Sequence, residues 1–403
     1  MADIGYRFVS LGGLLAMIGL AYALSENRRA ISLRVVLWGL ALQLALVLIV
    51  LYTAPGRWCF TAAEGVFGQI LAFSTEGARF VFGGLVDSQS LGPILAFQVL
   101  PVIIFMASLA AVLYHLHVIQ KVVGAMAWVM QRTMRISGAE SLSAALFVFT
   151  GIESVPAIGR YVPAMTRSEL FVVMTAFLAT IATSVMAIYV SFGASAGHLL
   201  AASLMSAPAA VVVAKLMVPE TGTPVTAGLV KFEPEVTTVN VVDAAATGAA
   251  QGVVLILNIA AMLLAFVAMV ALVNFVLERL SGYTLQQVLG WGFSGFAAAM
   301  GVPKGEWLTV GELLGTKTVV NEFFAYKRMQ EMVSAGMLSP RAVIISTYAL
   351  CGFSNFGSIG ILIGGLSGVA PERRGEVAAL GIKALVAGTL ACFMTACYAG
   401  MLA

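Results

Sequence analysis

Charge is scarce in this chain. Acidic and basic residues together make up 10% of its 403 positions, against roughly 25% in a soluble domain, so its polar side chains cannot cover a water-facing surface. The net charge of +3, with no basic patch interleaved with aromatics, excludes a nucleic-acid partner. The cysteines, Cys59, Cys351, Cys392 and Cys397, are scattered and form no Cys-x-x-Cys pair. That excludes a disulfide framework and leaves them as filler in helices. No His-Glu-x-x-His zinc motif occurs. His115 and His117 make a His-x-His without further ligands in sight, and they read as interfacial histidines. The 19 methionines are dispersed and read as core or lipid-facing filler. No soluble domain and no cofactor are called for.

What the chain has is apolar length. It is 60% hydrophobic with a mean hydropathy of +0.99, and a helix crosses hydrocarbon with roughly 20 apolar residues. Spans are expected over about 11–24, 35–53, 92–114, 168–190, 196–216, 250–277, 341–364 and 379–402. Basic residues follow the first span in "SENRRAISLR" and no cleavage site precedes them, so this span is kept and not removed as a signal peptide. The positive-inside rule puts Arg28, Arg29 and Arg34 in the cytoplasm, with the N- and C-termini outside. Arg373 and Arg374 agree; Lys327 and Arg328 fall on the outer side and count against the scheme. "IQKVVGAMAWVMQRTMR", with Lys121, Arg132 and Arg135, reads as an amphipathic helix on the cytoplasmic surface. Pro219 to Thr247 reads as a connecting loop.

Two segments fit no span. "SLSAALFVFTGIESVPAIGRYVPAMTRSEL" and "GEWLTVGELLGTKTVVNEFFAYKRM" each run apolar, then small and polar, then apolar, and each is followed by two spans. Matching interrupted segments in two halves point to a transporter built from inverted repeats. Non-helical backbone at membrane depth survives only inside protein or beside a wet cavity, so both read as re-entrant hairpins. The expected fold is an all-α polytopic membrane protein with eight transmembrane helices, two re-entrant hairpins in inverted repeats, and interfacial amphipathic helices. Its expected divisions are 1–135 (N-terminal spans and interfacial helix, a scaffold), 136–216 (first hairpin and two spans), 217–300 (connecting loop, long sixth span and interfacial helix) and 301–403 (second hairpin and two spans).

A carboxylate at the bilayer centre costs at least ~2.5 kcal/mol on insertion scales, so Glu153 and Glu322 need a compensating use. One reading pairs them with Lys317 or puts them at the interface; Lys317 itself is expected to snorkel to the surface. The other turns both glutamates and Asn321 toward a solvated cavity. A third polar focus, "CGFSNFGSIG" at 351–360, supports the cavity, with Asn355 and Ser358 three apart and Phe353 nearby. Amides and carboxylates bind hydroxyls while apolar walls stack on a ring, so these foci suit a small ligand with several hydroxyls and a flat ring. "GELLGTKT" is not a phosphate loop, because Thr316 separates its Gly and Lys.

These same residues carry a resemblance. "GTKTVVNEFFAY" at 315–326 is very similar to the signature of the concentrative nucleoside transporters: Gly or Ala, any residue, Lys, three residues, then Asn-Glu-Phe. "CGFSNFGSIG" resembles that family's broken seventh span, "VVDAAATGAAQGVVLILNIAAMLLAF" at 241–266 its sixth, and "MTRSEL" at 165–170 the segment after its first hairpin. The resemblance implies a bacterial secondary active importer of nucleosides in the inner membrane, a cation symporter and not an enzyme, assembled as a homotrimer. The alternative class is an intramembrane enzyme on a lipid-linked nucleotide or sugar, with Glu153 and Glu322 as acid and base. The duplicated hairpins favour the importer, since alternating access needs two symmetry-related gates.

Carried over by position, the resemblance puts Glu322, Asn355 and Ser358 on the ribose hydroxyls, Phe353 beside the nucleoside and Glu153 on the base side. The chain departs from the family at the first hairpin tip. There the family reads Gly-Gln-Thr/Ser-Glu and this chain reads Thr150-Gly151-Ile152-Glu153, so the glutamine is missing in either register and Ile152 offers no hydrogen bond. Broad or unusual base selectivity is expected. Sodium-coupled members hold the ion between the first hairpin and the fourth span with carbonyls, a serine and an asparagine. Ser184 matches the serine, but the asparagine position falls on Leu146, or on Phe147 with a one-residue gap. A proton needs only a titratable acceptor such as Glu153, so the sequence favours H+ over Na+ as the coupling ion.

Overall fold

In a computed structural model the described residues are 2–86, 95–227 and 238–403, and every regular element among them is helical. Residues 92–94 of the expected third span, and 228–237 of the connecting loop, lie outside the described residues. The N-terminal part holds α1 (Ala2–Ala23), α2 (Leu33–Tyr52), α3 (Ala54–Phe82), α4 (Leu95–Gln98), α5 (Leu100–His115) and α6 (Val118–Met134). The first hairpin is α7 (Gly138–Leu146) and α8 (Val155–Gly159), followed by α9 (Arg167–Ala179), α10 (Thr183–Ser191) and α11 (Ala196–Met217). A long α12 (Val241–Ser281) and α13 (Leu285–Ala299) lead to the second hairpin, α14 (Trp307–Val319) and α15 (Glu322–Ser334), then α16 (Pro340–Leu350), α17 (Phe356–Val369) and α18 (Arg374–Leu402).

Seven stretches among the described residues are long and apolar enough to cross a membrane, and the interrupted pair α16 and α17 completes the expected eight. Helix α3 corresponds to none of the expected spans. Its Arg57, Glu64, Glu76 and Arg79 interrupt every apolar window, although Thr53 caps it and Pro55 opens its first turn. The sixth span is longer than its apolar stretch suggested: 41 residues, or about 60 Å of helix. It begins at Val241, inside the segment read as loop, because Asn240 accepts the Asp243 amide as an N-cap.

Local chemistry sets the starts of the hairpin elements. Ser137 and Glu140 form a reciprocal capping box at the head of α7, and Thr166 and Glu169 form another at α9. The "MTRSEL" string is therefore a helix start with a mechanism. Each half then repeats one plan: a hairpin, a span interrupted in its middle, and an unbroken span. The expected 168–190 span is the correction here, since it breaks at 180–182, where Thr180 turns to φ −116°, ψ 166°. No glycine or proline marks this break. It is held by tertiary contact, because the Thr180 carbonyl accepts the Phe353 amide at 3.1 Å. The two interruptions thus touch. A side chain at Gly352 would meet Cys392 Sγ and the Ala179 carbonyl at 2.5 and 2.9 Å, so only glycine permits the approach.

The basic turns expected on one side do share one end of the bundle. Glu26, just before Arg28, accepts Arg167 at 3.0 Å and Lys383 at 2.8 Å. Arg167 beside Glu26 holds that carboxyl below the usual range, against partial burial, with Lys383 helping. Arg373 fixes the same end by donating to the Val162 and Met165 carbonyls. Arg341 gathers the other end, donating to the Gly301 and Gly400 carbonyls.

Candidate functional site

The interruptions leave half-helix ends in the middle of the bundle, where backbone groups lack helical partners. At the end of α16 every terminal carbonyl finds one. Tyr326 Oη donates to Thr347 O at 2.6 Å, Cys351 N to Tyr348 O at 3.1 Å, and Gly352 N to Leu350 O at 2.9 Å. The fourth donor is Lys317, whose Nζ reaches Ala349 O at 2.9 Å. Lys317 is 1% exposed, so the snorkelling expectation fails. A long side chain on α14 instead caps the broken end of α16, where a cation complements the helix C-terminus.

Next to this cap sits a carboxylate. Glu322, the first residue of α15, is 5% exposed. It accepts Tyr189 Oη at 2.9 Å on one oxygen and Asn355 Nδ2 at 3.0 Å on the other. Three elements therefore converge on one group: α10 from the first repeat, and α15 and the α17 start from the second. Asn355 is not on the helix with Ser358, as the three-residue spacing suggested. It is the N-cap of α17, and its Oδ1 accepts the Ser358 amide at 2.8 Å. Asn321 likewise caps α15 by accepting Phe324 N at 2.9 Å. Phe353 is half-buried and continues an aromatic row, its ring 5.7 Å from Phe177, which lies 5.6 Å from Phe147.

The first hairpin tip stands apart from this cluster. Gly151 is buried, and Ile152 packs on Gly365 of α17, where a side chain would meet its Cδ1 at 2.6 Å. That is two turns beyond Ser358, roughly 10 Å along the helix. The backbone of Glu153 lies in a turn of 3-10 helix, Ile152–Ser154; its side chain lies outside the described residues. Ser184 is buried in the first turn of α10, next in sequence to Thr183, which meets the carbonyls that follow α7. Thr183 N donates to Phe149 O at 3.2 Å, and the Thr183 and Ser203 hydroxyls both approach Val148 O at 3.4 Å. Leu146 and Phe147 are buried and apolar.

A description of the Na+ dependent nucleoside transporter C-terminus matches residues 198–400, that of its N-terminus 12–85, and a nucleoside-recognition gate region 96–196. An uncharacterized transporter of Haemophilus influenzae is 42% identical over 97% of each chain. The chain belongs to the Na+-dependent nucleoside transporter family. Sodium/nucleoside cotransporter 1 of Sus scrofa is 39% identical over 98% of this chain, which spans 64% of that relative's length. A solved structure of CNTnw in an inward-facing substrate-bound state superimposes with a TM-score of 0.93 at 41% identity, covering 98% of this chain and 97% of that one.

Within this transporter, sequence reasoning missed Tyr189 and misjudged Lys317. A signal for Tyr189 was present, because a buried tyrosine hydroxyl in an apolar span needs an acceptor. Glu153 and Glu322 were the acceptors in sight. Two motif-like strings carry no chemistry. "GELLGTKT" is helical throughout α14. A Gly-x-Ser-x-Gly string at 193–197 also occurs, yet Ser195 is the N-cap of α11 and donates to Glu64 at 2.6 Å. No group of three or more metal-ligating side chains occurs among the described residues, and His115 meets Thr238 instead.

Proposed function

We propose that this transporter imports nucleosides across the cytoplasmic membrane as a secondary active cation symporter, with both termini outside. The observation that carries this is the buried Glu322 carboxylate, held from both repeats by Tyr189 and Asn355. A carboxylate with its orientation fixed accepts vicinal ribose hydroxyls, Asn355 and Ser358 complete the polar face, and Phe353 offers a ring. Glu153 and the Gly151–Ile152 tip take the base side, and with no glutamine there base selectivity is broad. Residues 136–216 and 301–403 form the transporting repeats, and 1–135 with 217–300 the frame. The exposed apolar flank of α12, including Leu257, Leu264, Leu272 and Phe275, supports a homotrimer around that frame. The intramembrane-enzyme alternative gives way to membership in a family of transporters.

The coupling cation is the finer question. The family description supports sodium, against the proton that the sequence alone favours. We assign sodium to the junction of α7 and α10, near Val148 O, Phe149 O, Thr183 and Ser184. Binding there is weak, because a hard cation needs several oxygens to replace its water and Leu146 and Phe147 supply none from their side chains. Proteoliposomes test function and ion together. Labelled nucleoside should accumulate chemically unchanged under a sodium gradient at equal pH, with nucleosides competing better than free nucleobases or ribose. Accumulation under a pH gradient without sodium reverses the ion assignment, and failure of every nucleoside to compete removes the substrate.

Tyr189→Phe gives a second check. It deletes one hydrogen bond to a charged acceptor, roughly 1.5–3 kcal/mol, so nucleoside affinity should fall about tenfold or more. An unchanged binding isotherm would show that Tyr189 serves packing alone.

A further inference from the structure

Away from the midplane a cavity of about 710 Å³ opens where the start of α2, the end of α6, the head of α7 and the end of α11 meet. Its cationic side chains are Arg34, Arg132, Arg135 and Lys215, and its anionic ones Glu140 and Glu220. Lys215 pairs with both glutamates, and four cations against two anions leave the lining a net positive charge carried by the guanidiniums. Arg34 is oriented by its Nε, which donates to Thr133 O at 2.9 Å. The Arg135 amide donates to Gln131 O at 3.0 Å, while the guanidiniums of Arg132 and Arg135 form no hydrogen bond or ion pair with another described residue. Arg135 ends α6 with φ 56°, ψ 40°, a left-handed backbone that favours glycine. The chain keeps a long cation at a position whose geometry asks for no side chain, and such outliers cluster at functional sites.

The level of this cavity identifies its ligand. Ser32, Arg34 and Val35 of the first turn of α2 line it, while Leu33, Leu37 and Trp38 of the same helix point outward, 72%, 64% and 45% exposed. Its mouth therefore lies where lipid-facing surface begins. Trp128 lines the cavity and is itself 55% exposed, as suits the membrane interface. Val122 and Val129 of α6 are also exposed and extend the apolar margin. Guanidiniums bind phosphate oxygens through paired N–H donors.

We propose that this cavity binds the phosphate headgroup of an anionic phospholipid, its acyl chains lying along the outer faces of α2 and α6. The shared chemistry is a phosphate anion, and lipid is favoured over a soluble phosphate by the apolar margin at the mouth. The site is separate from the Glu322 cluster and does not depend on the substrate assignment.

Native mass spectrometry of the purified full chain tests it, with phosphatidylglycerol and phosphatidylcholine of equal acyl composition offered together. The wild type should retain phosphatidylglycerol in preference, and the double variant Arg132→Gln, Arg135→Gly should reduce that preference about tenfold or more, since each basic residue near a lipid surface contributes. Glycine suits the backbone at 135, so the variant should melt like the wild type in lipid-free detergent. If it melts lower, the Arg132→Gln variant alone decides, with a preference reduced severalfold. Equal retention of both lipids by the wild type, or an unaltered preference in the deciding variant, overturns the proposal. Displacement of phosphatidylglycerol by millimolar glycerol phosphate also overturns it, in favour of a soluble ligand.

Discussion

Glu322→Gln should lose nucleoside affinity by one to two decades while still inserting and assembling. Hydrogen bonds to a charged acceptor contribute roughly 1.5–3 kcal/mol, and the amide keeps only one acceptor oxygen. The geometry makes the loss larger than a single bond. Tyr189 Oη and Asn355 Nδ2 both donate to this group, so the new amide nitrogen must face one of two donors. Either Tyr189 or Asn355 then turns away, and Asn355 also caps α17. Uptake by Glu322→Gln at the wild-type rate, with unchanged half-saturation, would refute the ribose assignment.

Lys317→Met should produce the largest loss of stability. Its volume is conserved, so the effect reports chemistry and not a cavity. The Ala349 carbonyl at the broken end of α16 loses its donor, and the buried Glu322 loses a cation whose field acts on it. Leaving a buried carbonyl without its donor costs about 1–3 kcal/mol, and the lost field on Glu322 adds to it. The detergent-purified variant should therefore melt several degrees lower. If Glu322 is the other half of the effect, the double variant Lys317→Met, Glu322→Gln recovers part of it, a coupling that a double-mutant cycle measures. Equal melting of wild type and Lys317→Met would show that Lys317 carries neither role.

The sequence was informative where one residue type has one physical use. Apolar length located the spans, and the polar interruptions at 150–154 and 320–322 located hairpins, because backbone at that depth has few alternatives. Glu322, Asn355 and Ser358 could be grouped because each interrupts an apolar run. What could not be read depends on contacts distant in the chain. The break at 180–182 carries no local signal and exists because Phe353, far along the sequence, uses the Thr180 carbonyl. Lys317 looked like a snorkelling residue because its acceptor is 32 positions away. Helix α3 was lost to its own charges, whose spacing hydropathy averages out.

The unwound centres of the two interrupted spans also bear on how such a protein can change. At the starts of α10, α15 and α17 the first amide groups are free of helical partners by geometry, and they are present whatever side chain each residue carries. Point mutation can alter the amides, carboxylates and rings that surround a substrate, but it cannot delete these main-chain donors short of proline. On the site proposed above, selectivity is open to drift at residues such as Ile152 and Phe353, while a common polar floor is inherited unchanged. A lineage can exchange one hydroxylated cargo for another in small steps without first rebuilding the place where it sits.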